Sequence, residues 1–240
     1  MKTLPDSNEA IWKSAQHIRE RAGKTAEREH KSAKQWRLLG LLMPFDPQDE
    51  FTFADLGAGT GSAARAILAL YPQSTAILAD FSAEMIAVGE EEMRLFEGRY
   101  RYAEFDMSTP DWPAEIPHGL DAVVTSMCVH HLPDARKEGL FAEIYAHLAP
   151  GGWYVNYDSV RSADPVVAAA WRRVGDREDP LAADAREQRT PAELARRTNH
   201  ERDLIPLAQQ LDYLRAAGFR GIDVYWKHLD DVVIGGCRPA

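Results

Sequence analysis

The sequence predicts an α/β fold: a doubly wound, seven-stranded and mostly parallel sheet with an antiparallel last strand and helical lids. Short apolar runs rich in β-forming residues alternate with stretches of helical periodicity, which is typical of strand–helix–strand units. A glycine-rich loop follows the first run, at the edge of the sheet where ligands bind in this architecture. The strand candidates are FTFADL (51–56), TAILAD (75–80), RYRYAEF (99–105), LDAVVTS (120–126) and GWYVNYDSV (152–160), followed by a hairpin of two strands around KHLDD (227–231).

Helical patterns connect several of these runs. One helix is expected before APGG (149–152), because four apolar residues share one face of it: Leu140, Phe141, Ile144 and Leu148. A second helix is expected to stop at Gly218, and its apolar side carries Leu207, Leu211 and Leu214.

Composition sets limits on the class of protein. A chain of 240 residues with 45% hydrophobic content is enough for one well-buried domain with additions. It has no long apolar run, and its first 16 residues lack the apolar core of a secretory signal. We therefore expect a cytoplasmic protein without membrane segments. The two cysteines exclude a disulfide scaffold and a cysteine-based zinc site, and no metal is predicted.

The charge is acidic and unevenly distributed. The net charge is −9, and residues 36–160 contain seven basic against nineteen acidic side chains. Such a field repels polyanions, so nucleic acid is an unlikely partner. Four segments are predicted: an N-terminal helical lid (1–35), a core (36–160), an Arg- and Ala-rich helical cap insert (161–205), and a C-terminal helix and hairpin that complete the sheet (206–240). The lid has a thin apolar stripe at Ile11, Trp12, Ala15 and Ile18.

The loop DLGAGTG (55–61) does not match the common phosphate-binding patterns. It has no lysine, which a P-loop requires. A dinucleotide loop needs its third glycine at position 62, where Ser62 stands. This mismatch disfavours a nicotinamide or flavin cofactor, which we keep as an alternative. Asp80 ends the second strand, 23 residues after Gly57, where an acid accepts hydrogen bonds from ribose hydroxyls. Capping of the next helix is the competing role, for which Ser82 is available.

Four motifs in register resemble those of class I S-adenosylmethionine-dependent methyltransferases. They are DLGAGTG, LAD at Asp80, EFDM at Asp106 and SMCVHHL after the fourth strand. The helix QQLDYLRAAGF is similar to that of small-molecule enzymes of the ubiquinone/menaquinone type and of the carboxy-S-adenosylmethionine branch. The resemblance implies a Rossmann-like methyltransferase fold, S-adenosylmethionine as cofactor with S-adenosylhomocysteine as product, and a small-molecule methyl acceptor.

The resemblance also implies positions for the cofactor. The glycine loop passes under its methionine part, Asp106 accepts from the adenine amine, and the Met107 N–H serves a ring nitrogen. Helix capping or a loop turn is the structural alternative for Asp106. The implied cofactor-binding residues are Asp55, Gly57, Ala58, Gly59, Gly61, Asp80, Phe81, Met85, Asp106, Met107, Ser126 and Met127.

Two adjacent histidines, His130 and His131, follow the fourth strand at the mouth of the same crevice. Methyl transfer is an in-line displacement that depends mainly on alignment, and a base is needed only when the acceptor is a hydroxyl. Histidine suits that role near neutral pH. We expect His131 rather than His130 to act, with a structural or cofactor-shielding role as the alternative for either.

Substrate choice is expected to lie in the lids. Segment 161–202 has nine arginines and no lysine, but eight acids are interleaved with them, so most should form solvent-facing pairs. The alternatives to a methyltransferase are a synthase that modifies S-adenosylmethionine itself, an NAD-dependent oxidoreductase and a non-catalytic S-adenosylmethionine-binding regulator. Either a monomer or a homodimer is expected. The substrate-binding candidates are Trp12, Trp36, Tyr157, Asp158, Trp171 and Arg172.

Overall fold

The computed structural model describes residues 25–188, 190, 194, 198 and 201–240. The predicted stripe on the N-terminal lid, including Trp12, lies outside these residues. The helices are α1 (Thr25–Leu41), α2 (Ser62–Leu70), α3 (Ala83–Glu92), α4 (Asp134–His147), α5 (Pro165–Glu178), α6 (Pro180–Glu187) and α7 (Leu207–Ala217). The strands are β1 (Thr52–Leu56), β2 (Thr75–Asp80), β3 (Tyr100–Glu104), β4 (Leu120–Ser126), β5 (Leu148–Ser159), β6 (Arg220–His228) and β7 (Asp231–Cys237).

The seven strands form one sheet in the order β3-β2-β1-β4-β5-β7-β6. Strands β1 to β5 pair in parallel, whereas β7 runs antiparallel to both β5 and β6. This confirms the predicted doubly wound sheet with its antiparallel last strand. The strand order reverses between β1 and β4, so the crevice at their carboxyl ends is where the architecture places a ligand.

Apolar layers cover both faces of the sheet. On one face, Leu56 and Ile77 pack in a cluster with Phe141 and Ile144 of α4. On the other face, Phe53 and Leu78 belong to a cluster that includes Ile67 of α2. Because parallel strands are buried on both sides, they consist of nearly continuous apolar residues. The runs of β1, β2 and β4 have this character, whereas β3, at the edge of the sheet, is partly exposed and mixes aromatic with charged residues.

The predicted helix ends are confirmed in one case and need a correction in the other. Helix α7 ends at Gly218, whose φ of 107° is left-handed and therefore favours glycine. Helix α4 ends at His147, one residue earlier than its apolar pattern indicates. Leu148 is instead the first residue of β5, where it is still buried in the same apolar cluster.

Helix α1 and the cap are both joined closely to the core. The boundary predicted between residues 35 and 36 falls inside α1, whose Leu39 is fully buried. The two ends of the cap segment lie next to each other. The Arg161 N–H donates to the Ile205 carbonyl (3.1 Å), and the Arg161 guanidinium donates to the Leu204 carbonyl (2.9 Å). Helices α5 and α6 lie between these two ends in the chain.

No helix in the described part of the chain is long and apolar enough to cross a membrane.

Replacing Gly235 of β7 with alanine is expected to destabilise the fold. The added Cβ would lie 2.5 Å from the Tyr154 carbonyl oxygen and 2.9 Å from the Cγ1 methyl of Val155, and the backbone oxygen cannot move aside without breaking the sheet. Urea unfolding should show a loss of about 1–3 kcal/mol. Gly175→Ala in α5 is the control, since its Cβ meets only Leu229 at 3.8 Å. Equal stability of the two variants would contradict the prediction.

Candidate active site

The glycine loop between β1 and α2 is fastened to the neighbouring strand. The N–H groups of Gly57 and Ala58 both donate to the Ala79 carbonyl, at 2.8 and 3.0 Å. Gly57 has φ of 70°, and a Cβ there would lie 2.7 Å from the Cβ of Cys128 at the end of β4. The loop therefore requires glycine for both its conformation and its close approach.

Asp80 at the end of β2 holds this loop from the other side. Its Oδ2 accepts from the Gly59 N–H (2.8 Å), and its Oδ1 accepts from the Ser82 N–H (2.9 Å). The cap of α3 is Ser82, whose hydroxyl accepts from the Met85 N–H, so Asp80 does not fill that role. A carboxylate can accept further hydrogen bonds at its remaining lone pairs.

Asp55 is a buried acid beneath the loop. It is 1% exposed, and one of its oxygens accepts from the Ala64 N–H at 3.2 Å. Its other oxygen has no hydrogen-bond partner among the residues described. Burial, with a smaller contribution from the Asp80 charge, raises the pKa of Asp55 to about 7. A buried carboxyl oxygen without a partner is a natural position for a cationic ligand group.

The loop after β3 lies close to the glycine loop. The terminal methyl of Met107 is 3.0 Å from the position of a Cβ on Gly57. Asp106 accepts from the Ser108 N–H through its side chain (2.9 Å), which is the turn geometry that we named as its structural alternative. One carboxyl oxygen makes that turn, so the role is compatible with ligand binding at the second oxygen. Phe81 and Met85 follow β2, and the Met85 methyl lies beside Gly59.

The two histidines differ in their surroundings. They lie in a 3-10 turn, Val129–His131, after β4. His130 Nδ1 is hydrogen-bonded to Asp158 Oδ1 of β5, and both side chains are buried. His131 is half-buried, with its ring centroid 4.0 Å from that of His130. The turn is preceded by Met127, whose φ of 52° is rare for a residue with a side chain and occurs often at functional sites.

The substrate candidates are divided between the crevice and the outer surface. Trp36 of α1 donates to the Ser126 hydroxyl at 2.8 Å, which joins it to the end of β4. Tyr157 is buried, and burial together with the nearby Asp231 raises its pKa to about 12. In the cap, the Trp171 ring faces the Lys227 ammonium at 4.1 Å and Arg172 is exposed. Trp12 lies outside the described residues.

Sequence reasoning missed three residues around this site. The Cys128 thiol donates to the Leu56 carbonyl at 3.1 Å. Tyr102 donates to the Gly59 carbonyl in the glycine loop, and Arg136 donates to the Met107 carbonyl in the loop after β3. No local pattern marks Tyr102 or Arg136, because each acts on a loop far away in the chain.

Within the described ranges, no cluster of three His, Cys, Asp or Glu side chains is arranged to hold a metal ion.

Residues 54–154 match the family model described as "Methyltransferase domain". The match begins in β1 and ends in β5, and so includes the glycine loop, Asp80, Asp106 and the histidine turn. Residues 54–154 are thus similar to methyltransferase domains, and the sheet has the fold of class I S-adenosylmethionine-dependent methyltransferases. This confirms the resemblance to class I S-adenosylmethionine-dependent methyltransferases that the motifs indicated.

The relatives are named as methyltransferases. Acetylserotonin O-methyltransferase of Gallus gallus is 28% identical over 131 residues, which are 54% of this chain and 36% of that protein. The structure of human N-acetylserotonin methyltransferase in complex with SAM has a TM-score of 0.66 at 17% identity and covers 99% of this chain and 61% of its own. An O-methyltransferase family protein from Burkholderia thailandensis has a TM-score of 0.69 at 16% identity, covering 99% of this chain and 64% of its own. The chain thus spans about a third of the curated relative.

Asp55→Asn is expected to change how stability depends on pH. With a pKa of about 7 against an ordinary 3.8, Asp55 holds its proton in the folded protein where the unfolded chain has lost it. The free energy of unfolding therefore decreases as pH rises from about 4 to 7, and it stays at the lower value above pH 7. The asparagine oxygen still accepts from the Ala64 N–H but does not titrate. Urea unfolding across this range should show a smaller loss of stability in the variant than in the parent.

The control for this measurement is Asp212→Asn, which removes an exposed carboxylate paired with Arg215. It should leave the pH dependence of the free energy of unfolding close to that of the parent. Parallel curves for the parent and Asp55→Asn would mean that Asp55 does not retain its proton in the folded state.

Proposed function

We propose that the protein transfers a methyl group from S-adenosylmethionine to a hydroxyl oxygen of a small-molecule acceptor. The observation that carries the proposal is the buried pair of His130 and Asp158 beside the glycine loop's crevice. A histidine oriented by a carboxylate is a general base, and a hydroxyl is the acceptor that needs one. The relatives named O-methyltransferases support the same reaction.

The residues around the crevice fit this cofactor. The glycine loop is too closely packed to admit a Cβ at Gly57, and the unpartnered Asp55 oxygen lies beneath it. In the proposal the loop and Asp55 hold the amino-acid end, Asp80 the ribose, and Asp106 with the Met107 N–H the adenine edge. The bound cofactor supplies an electrophilic methyl carbon on a sulfonium. Buried acids at the ends of three strands favour such a cation.

His130 is the base in this proposal, in place of the His131 expected from sequence. In this assignment Asp158 accepts the Nδ1 proton of His130, and the proton of the acceptor is taken at Nε2. The carboxylate also stabilises the imidazolium that forms. His131 packs against the His130 ring, and its role in the proposal is to complete the wall of the acceptor pocket.

The acceptor pocket is proposed to lie between this turn and the two lids. Trp36 donates to Ser126 and Tyr157 pairs with Ser126 across the sheet, just before the histidine turn, and helices α5 and α6 form the cover of the pocket in this proposal. We further propose that the protein acts in the cytoplasm, as a monomer or a homodimer, and not on nucleic acid. The net charge of −9 supports the last point.

Calorimetric titration with S-adenosylhomocysteine and with NAD tests the cofactor directly. Micromolar or tighter binding of the first without the second is expected, and binding of NAD alone would overturn the proposal in favour of an oxidoreductase. Asp80→Ala should weaken S-adenosylhomocysteine binding about ten- to hundredfold, because it removes a charged acceptor from the ligand and from the loop. Unchanged affinity in this variant would remove Asp80 from the site.

Turnover of the two histidine variants tests the base. With S-adenosylmethionine and a panel of phenolic and aliphatic hydroxyl compounds, His130→Ala should lose about 10²–10⁴-fold in kcat while S-adenosylhomocysteine affinity is retained. His131→Ala should lose less than about tenfold, since it removes packing and not the proton acceptor. The opposite order would assign the base to His131. Binding without turnover on any acceptor would favour a non-catalytic regulator.

A further inference from the structure

Two residues outside the proposed site hold its two loops from behind. We propose that Tyr102 is a positioning residue for the glycine loop, at the amino-acid end of the cofactor. Arg136 is a positioning residue for the Asp106–Met107 loop, at the adenine end. The inference rests on the proposed function, since it assigns each loop to one half of the cofactor. It adds that the two halves of the site are supported independently.

The backbone of Gly59 is held on both sides by side chains. Its N–H donates to Asp80 at 2.8 Å, and its carbonyl oxygen accepts from the Tyr102 hydroxyl at 3.1 Å. Tyr102 comes from β3, 43 residues further along the chain. Burial raises the pKa of this phenol far above its ordinary value, so the hydroxyl stays protonated and donates. The two peptide units on either side of the Gly59 Cα are thereby oriented before a ligand arrives.

The sequence of α3 makes room for this contact. Gly89 lies in the interior of the helix, where glycine is less favourable than alanine by about 1 kcal/mol. A Cβ at Gly89 would lie 1.9 Å from the Tyr102 hydroxyl oxygen and 3.2 Å from the Gly59 carbonyl oxygen. An alanine would therefore displace the hydroxyl from the loop. The helix tolerates an unfavourable residue at the one position where the Tyr102 hydroxyl needs the space.

Arg136 fastens the other loop through a fork of donors. Its Nε donates to the Met107 carbonyl (2.7 Å), and an Nη donates to that of Thr109 (2.9 Å). The guanidinium also donates to both oxygens of Glu143, at 2.7 and 2.6 Å. The same Glu143 accepts from the Trp112 indole at 2.8 Å. The Arg136–Glu143 pair on α4 thus holds the loop at Met107, Thr109 and Trp112. A lysine could not replace Arg136, because only a planar guanidinium makes its four bonds together.

The two supports do not share a residue. Tyr102 acts between β3, α3 and the glycine loop, whereas Arg136 acts between α4 and the loop after β3. Fixing a loop in advance raises affinity because less conformational freedom is lost on binding. Loss of one support should therefore weaken contacts at one end of the ligand and leave the other end unchanged.

Calorimetry with two ligands separates the two ends. S-adenosylhomocysteine carries both nucleoside and amino acid, and 5′-methylthioadenosine has no amino-acid part. Tyr102→Phe should weaken S-adenosylhomocysteine about 3–10-fold and change 5′-methylthioadenosine binding less than about twofold. Gly89→Ala should act in the same direction by displacing the hydroxyl. Arg136→Lys should weaken both ligands to a similar extent, about tenfold, because both contain adenine.

Matched controls exist on the same elements or of the same type. Tyr100→Phe removes a hydroxyl from the same strand, where it bonds the Glu90 side chain at 2.6 Å. Gly175→Ala adds a methyl to a helix without a close neighbour, and Arg215→Lys alters an exposed pair on α7. None of these should change the affinity for either ligand. Thermal unfolding without ligand shows whether each variant is folded.

The outcomes distinguish this inference from the proposed function. If the parent protein binds neither ligand, the cofactor assignment fails and the positioning roles fail with it. If the parent binds both but Tyr102→Phe and Gly89→Ala weaken the two ligands equally, Tyr102 supports the whole fold and its proposed role is wrong. If Arg136→Lys, and Glu143→Gln as its second variant, bind both ligands like the parent, the role of Arg136 is wrong while the proposed function stands.

Discussion

The close contact between the glycine loop and the end of β4 is the constraint on which the rest of the site depends. Gly57 approaches Cys128 so closely that no side chain fits between them. This contact lies where the order of strands reverses, between β1 and β4. The acids at the ends of β1, β2 and β5 lie at the carboxyl edge of the same parallel sheet.

Burying these acids is unfavourable in the absence of a cation. Asp55, Asp80 and Asp158 are each less than a tenth exposed, and desolvation of carboxylates is costly unless they are paired. The protein compensates locally, with backbone N–H groups at Asp80 and with His130 at Asp158. Asp55 receives less compensation, and its raised pKa reflects this. A ligand with a positive amino-acid end would complete the arrangement, which links the stability of the empty protein to its proposed function.

Much of the fold and of the loops after β1 and β3 was predictable because the determinants are local. Strands β1, β2, β4, β5 and β7 follow from largely contiguous apolar runs, and the edge strands β3 and β6 follow from runs in which β-forming and charged residues mix. The ends of α3 and α7 follow from Ser82 and Gly218. The choice between His130 and His131 was not predictable in this way. The two are adjacent and chemically identical, and only the parallel pairing of β4 with β5 brings Asp158 to one of them. The end of α4 was misplaced by one residue because Leu148 is buried equally well in a helix or in the strand that follows.

The sequence by itself therefore determined the alternation of strands and helices, the glycine loop and the acids that follow β2 and β3, since each is encoded within a few neighbouring residues. Only the tertiary structure decided which histidine has a carboxylate, and which distant side chains support the loops. Tyr102 and Gly59 are 43 positions apart, and Arg136 and Met107 are 29 apart. Such pairs leave no periodic signal, because their contact is created by the order of strands in the sheet and not by spacing along the chain.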